Sequence, residues 1–401
     1  MILSKDFLLK IHDSCYINRW NEFLRPIDII ELDNQAFKWI LAYILAKIEE
    51  NQGVKIDWIK LVKYLIFDFL DRIILTDIKP DILDKLKKEY SEKLNDYILN
   101  ICKNVLDFSF LKEFEEFLKL KVDFEYFSKI DKNDEFLIKI IFSSSKLASK
   151  WEYEKFIEPF NEIKIKNEKL NLNFEDNEIK EKYGLKSVGI ILDKDKENYK
   201  KFLDICFSLR YQIRWTGKHR IPKTSVLGHE LIVSITTFAF FYENNFLNGK
   251  NEKIIYNNFF TALFHDLPEA LTRDIISPIK YSSLEISEII KDIEIEKMKR
   301  IYSLLPGFGK DIELFTKDEF ENKTDEAGCI TRHGKIIKVF DSLSAMIEAY
   351  ISVKDNGINN ADFIKCCNRR SIEALIDDLN EFSKICKVNR KYDFLEEFVL
   401  S

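Results

Sequence analysis

The stretch FFTALFHDLPEALTRDIISPIK, residues 259–280, sets a histidine–aspartate pair, His265–Asp266, in an apolar frame. Glu269 and Asp274 follow, then Pro278 and Lys280. The apolar spacing is that of a helix, which puts His265 and Glu269, at i and i+4, on one face. Imidazole and carboxylates in such a setting need a charge partner, because burying them alone is costly.

The same helical period runs outward in both directions. LDNQAFKWILAYILAKIEE, IDWIKLVKYLIFDFLDRIIL, ELIVSITTFAFFYENN, KIIKVFDSLSAMIEAYISV and SIEALIDDLNEFSKICK all carry apolar residues at i, i+3, i+4 and i+7. Eleven Gly and seven Pro in 401 residues are too few for many tight hairpins. The expected class is therefore all-α. Two segments read differently: KSVGIILD (186–193) as a short strand, and the polar run at about 161–182 as a loop or linker.

Composition narrows the class of function. Apolar residues make up 46% and charged residues 32%, a soluble globular balance. No apolar run reaches the roughly 20 residues of a membrane span, and acids and Asn break up the N-terminus, so no signal peptide is expected. Seven Cys without a CxxC pair argue against a disulfide framework or zinc knuckle, and Cys366–Cys367 reads as reduced thiols. A net charge of −6 gives no nucleic-acid footprint. The expected location is the cytoplasm.

The two halves resemble each other. DFLLKIHDSCYINRW (6–20) aligns with KFLDICFSLRYQIRW (201–215), matching Phe7, Leu8, Tyr16, Arg19 and Trp20 to Phe202, Leu203, Tyr211, Arg214 and Trp215. At the same offset Asn34 meets His229. After a small gap, LIFDFLDRIILTDIKPD meets LFHDLPEALTRDIISPI, so Phe67 stands opposite His265, Asp68 opposite Asp266, Asp71 opposite Glu269 and Pro80 opposite Pro278. KIIFSSSKLASKWEY meets KIIKVFDSLSAMIEA, placing Ser145 opposite Asp341. Four colinear blocks read as a tandem duplication with a period of about 195 residues. The expected domains are 1–190, degenerate, and 195–401, catalytic.

The comparison singles out His229, His265, Asp266 and Asp341, three of which the first half replaces with Asn, Phe and Ser. Nitrogen and oxygen donors without sulfur suit one divalent ion of intermediate hardness: Mn, Fe, Co or Ni, with Mg or Zn less suited. Four protein ligands leave two octahedral positions for water and substrate. His12–Asp13 is also a histidine–aspartate pair, but no acid follows four residues on, and it reads as structural or surface. His219 reads as a loop residue and His333 as a residue too far along its helix to join Asp341 as a ligand.

The pattern H…HD…D in a helical chain resembles the HD-domain metal-dependent phosphohydrolases. Arg214–Trp215, His229 fifteen residues after that Arg, HDLPEALTRDIISPIK and KVFDSLSAMIE look most like the 5'-deoxynucleotidase branch. One departure is Gly228–His229–Glu230, where the family commonly has Glu-His-Ser. The resemblance implies that His229, His265, Asp266 and Asp341 hold the metal. It implies that Glu269 and Asp274 handle the attacking water and leaving group, that Arg214 and Lys280 meet the phosphate, and that Trp215 packs near the sugar. It also implies pairing of two HD domains, which a duplication would supply within one chain as a pseudo-dimer.

The expected function is hydrolysis of a nucleoside 5'-monophosphate, a deoxynucleotide above all. Two alternatives stay open: hydrolysis of a nucleoside triphosphate or another phosphoester on the same site, and a nucleotide sensor or scaffold that binds without turnover.

Overall fold

The computed structural model describes residues 2–76, 78–127, 130–168, 174–244, 252–273, 283–385 and 390–400. These are helical nearly throughout, and their one sheet is a two-stranded hairpin. The all-α class follows. The chain divides into two compact units, residues 13–203 and residues 1–12 with 204–401. The opening helix α1 (Lys5–His12) thus groups with the C-terminal unit and not with the chain that follows it.

In the 13–203 unit, α2 (Glu31–Asn51) is buried along almost its whole length. A helix buried on all sides belongs at the centre of a core. α3 (Trp58–Leu75) starts at Asp57, whose carboxylate accepts from Lys60 N at 2.9 Å, an ordinary N-cap. α4 (Pro80–Glu89), α5 (Ser91–Cys102) and α6 (Phe108–Val122) follow, then α7 (Lys132–Glu152), which packs along α2. α8 (Glu158–Glu168), α9 (Asp176–Tyr183) and α10 (Lys186–Leu192) complete it, and the division from the other unit falls within α11 (Glu197–Ser208).

Two expectations change here. KSVGIILD is helical, as α10, where Val188, Ile191 and Leu192 are buried on one side. β-branched residues favour strands only weakly, and the tertiary seat decides. The described parts of the polar run, 161–168 and 174–182, are largely helix, in α8 and α9, with Asn161 breaking helical geometry at φ −128°, and 169–173 lie outside the described residues. Its charges are at ease on solvated helix faces.

In the other unit, α12 (Val226–Glu243) is the central buried helix. It packs along α13 (Glu252–Phe264). Phe238, Phe240 and Phe241 are buried on it, and each such side chain stabilises by roughly 1.5–3 kcal/mol. After α13 come α14 (Glu269–Thr272), α15 (Leu284–Tyr302) and α16 (Gly309–Thr316). A hairpin of β1 (Lys323–Thr324) and β2 (Ile330–Arg332) leads into α17 (Gly334–Lys354), followed by α18 (Ala361–Cys366) and α19 (Arg369–Ile385). Arg332 is fully buried, and its guanidinium donates to the carbonyls of Leu314, Lys317, Asp318 and Glu321. Gly334 admits the Glu321 backbone where a Cβ would collide. These contacts fix the start of α17, which also packs on α12. No described helix is long and apolar enough to cross a membrane.

The entries to α2 and α12 share a backbone pattern. Arg19 N donates to Ile29 O at 2.7 Å and Glu31 N to Ile17 O at 2.8 Å. At the same offset of 195 in sequence, Arg214 N donates to Thr224 O at 3.0 Å and Val226 N to Gln212 O at 2.9 Å.

Candidate metal centre

Ser225 caps α12 by accepting from Gly228 N at 2.9 Å, so His229 leaves the first turn of that helix. Its Nδ1 lies 3.1 Å from Ser344 Oγ and its Nε2 3.0 Å from Asp341 Oδ1, both partners on α17. α13 ends at Phe264, and His265–Pro268 form turns before α14. The pair His265–Asp266 is therefore at a helix end and not within a continuous helix as its spacing suggested. Pro268 has no N–H to continue the ladder, and Leu267 N bonds back to Phe264 O at 3.0 Å instead. His265 Nδ1 faces the Ala262 carbonyl at 2.9 Å. That carbonyl takes the proton on Nδ1, so Nε2 is the nitrogen turned to the site.

One donor atom each from His229, His265 and Asp341 lies within 4.8 Å of the others. Asp266 Oδ2 stands beside them, 3.2 Å from His265 Nε2 and 3.9 Å from His229 Nε2. The structure thus brings together all four residues named from the sequence. Both imidazoles are fully buried, whereas the side chains of Asp266 and Asp341 keep 18% and 16% exposure, so the cluster opens on its carboxylate side.

The electrostatics keep both carboxylates ionised beside the imidazoles. Burial pushes the carboxyl of Asp266 up, but His265 outweighs it and holds the group at about 2. Asp341 lies well below the usual range for the same reason, with the His229 hydrogen bond against burial. Burial works against a charge on His265, yet Asp266 and Asp341 raise it to about 10. His229 is lowered, first by burial and then by Arg214. His265 Nε2 makes no well-aligned hydrogen bond among the described residues. Two inward imidazole nitrogens and two ionised carboxylates fit a divalent ion.

A buried frame surrounds this cluster. Glu348 is fully buried and accepts from Trp215 Nε1 at 2.7 Å, Thr224 Oγ1 at 2.6 Å and Arg214 Nε at 3.4 Å. Burial would push its carboxyl up, but Arg220 and Arg214 hold it well below the usual range. Arg214 spans from Glu348 to Asp266, its Nη1 3.8 Å from Asp266 Oδ2. Trp215 adopts φ +62° and sets its ring edge-on to Phe363 at 5.0 Å. Lys338 Nζ lies 2.6 Å from Asp341 Oδ2. Sequence reading passed over Glu348, Ser344 and Lys338. The signal for Glu348 was present: it aligns with Glu152 in the same block that pairs Ser145 with Asp341.

Glu269 opens α14, and its carbonyl accepts from Gln212 Nε2 at 2.7 Å. Its charge helps to hold Arg214 ionised. Asp274 and Lys280 lie outside the described residues. Of the other histidines, His219 is exposed on its loop. His333 is core, against Phe241 and Phe382, and burial lowers it to about 4. His12 is buried on α1, with Nδ1 2.7 Å from Leu8 O.

The family described as 5'-deoxynucleotidase YfbR-like matches residues 201–392, the region that holds all four cluster residues. Residues 201–392 thus resemble this family. The chain is a hydrolase. A 5'-deoxynucleotidase of Shewanella oneidensis is 26% identical over 165 residues, covering 41% of this chain and 77% of the relative. One from Photorhabdus laumondii is 29% identical over 138 residues, covering 34% and 64%. An HD-domain phosphohydrolase of known structure from Listeria innocua is 21% identical, covering 49% of this chain and 86% of that one, with a TM-score of 0.37.

Proposed function

We propose that the YfbR-like domain hydrolyses nucleoside 5'-monophosphates, deoxynucleotides preferred, with one divalent ion held by His229, His265, Asp266 and Asp341. The observation that carries this reading is the convergence of His229, His265 and Asp341 donors within 4.8 Å, beside an arginine. The ion, when bound, would polarise a phosphoryl oxygen and acidify water.

The chain's own residues account for the remaining tasks. Arg214, kept ionised by Glu348, supplies a fixed positive charge for the phosphate oxygens. Glu269 is the base that takes the proton of the attacking water. Trp215, held by its bond to Glu348, forms a wall that a deoxyribose tolerates and a 2'-hydroxyl crowds. Mn, Co, Fe and Ni suit the donor set better than Mg or Zn.

The test is release of phosphate, pyrophosphate or triphosphate from nucleoside mono- and triphosphates with Mn or Co. Phosphate from 5'-monophosphates is expected. Pyrophosphate or triphosphate release from triphosphates, without monophosphate hydrolysis, would displace this reading, and so would nucleotide binding without turnover.

A further inference from the structure

The 13–203 unit carries a buried charge cluster around Asp68, the residue that aligns with Asp266 of the metal centre. Its local frame is alike in detail: Trp20 Nε1 donates to Glu152 Oε2 at 2.9 Å, and Arg19 Nε donates to the same oxygen at 2.9 Å. Trp20 has φ +59°, against +62° for Trp215. Within that frame the donors differ. Phe67, opposite His265 in sequence, packs its ring against Phe110, Phe114 and Phe117 at 4.8, 5.3 and 5.7 Å. Asn34 and Ser145 replace His229 and Asp341. Asp68, opposite Asp266, remains.

Two ammonium groups meet Asp68. Lys38, one turn after Asn34 on α2 and fully buried, is ion-paired with Oδ2. Lys121 is ion-paired with Oδ1 and reaches Asp71 Oδ2 at 2.7 Å, and Lys87 adds a 3.2 Å pair to Asp71. Phe110, Phe114, Phe117 and Lys121 are spaced as one stripe of α6, so a single helix face brings both the aromatic filler and the cation. Burial would push the Asp68 carboxyl up, yet Lys121 and Lys38 hold it well below the usual range. A divalent ion placed there would meet two like charges at close range and no imidazole.

We propose that residues 13–203 hold a second, metal-independent copy of the site, in which Lys38 and Lys121 supply the positive charge that a divalent ion supplies beside His229, His265 and Asp341. The comparison rests on the metal reading of the first site. Lysine insertion into an emptied ligand set explains why Asp68 persists where the imidazoles do not: a buried ammonium left without its carboxylate is strongly destabilising.

Full-length chain loaded with Co(II) or Mn(II), desalted and assayed for metal by mass spectrometry tests this. One ion per chain is expected, and none in a His265→Ala, Asp341→Ala double variant. Asp68→Asn is expected to keep that one ion while lowering Tm by roughly 5–15 °C, the scale of a broken buried pair. Two ions per chain, one surviving the double variant and lost in Asp68→Asn, would overturn the proposal. So would a Tm unchanged by Asp68→Asn. No ion at all would instead overturn the metal reading of the first site, and with it the comparison. If Asp68→Asn fails to fold, the metal count in the other two proteins decides.

Discussion

Trp215 donates its indole N–H to Glu348 at 2.7 Å, and the accepting carboxylate is fully buried. The same carboxylate faces Arg214, so one anchor sets both residues that stand beside the cluster. Glu348→Gln keeps an acceptor but removes the charge opposite Arg214 and Arg220. Charge-assisted bonds contribute about 1.5–3 kcal/mol, so kcat/KM is expected to fall by about tenfold or more, carried mainly by KM. Metal content should stay at the wild-type level. Loss of bound metal in Glu348→Gln would show that the residue holds the ligands themselves.

His265→Ala and Asp341→Ala each remove a donor from the cluster and are expected to abolish both metal binding and phosphate release. Glu269→Gln should retain the metal and lower kcat by roughly 100-fold. Full activity in Glu269→Gln would remove its role as base.

If Trp215 walls off the sugar, wild-type enzyme hydrolyses 2'-deoxynucleotides faster than ribonucleotides. Trp215→Ala should narrow that ratio and leave metal content unchanged. Equal rates on both sugars in the wild type would strike out the deoxynucleotide preference.

The N-terminal segment gives a pH-dependent prediction. Glu243 Oε2 accepts from Ile2 N at 2.9 Å and Leu3 N at 3.1 Å. Burial raises its carboxyl to about 7, against the opposing pull of these two donors. The folded state therefore favours the protonated form. Its stabilising contribution is present below the ordinary carboxyl range and is lost as pH rises through about 7. Glu243→Gln should flatten the fall in Tm between pH 5 and 8. An unchanged slope would exclude Glu243 as its source.

Residues 2–12 also bury Ile2, Leu3, Phe7, Leu8 and Ile11. Deleting them should lower the Tm of the chain by several degrees, because the apolar surface under α1 is uncovered. A deletion with wild-type Tm and activity would show that the segment is dispensable to the unit with which it groups.

The sequence by itself determined the helical class and the four cluster residues. The helical class was legible because a 3.6-residue period is local and survives in any tertiary setting. The cluster residues were legible because imidazoles and carboxylates at helix-forming positions stand out against apolar neighbours, and the comparison between halves marked where they are absent. Other features depend on what a segment packs against. KSVGIILD is a helix because of its buried seat, and Pro268 turns the His265 pair out of helix geometry in a way spacing does not encode. Glu348 leaves a trace in the sequence through its alignment with Glu152, but its role depends on the fold bringing it, 133 residues from Trp215, to the indole N–H. Lys38 and Lys121 look like ordinary charged helix residues in the sequence; it is the approach of α2, α3 and α6 that places both ammonium groups on Asp68. Long-range charge pairing leaves no periodic trace in a sequence, since nothing local distinguishes a lysine in solvent from one that has lost its water to a buried carboxylate.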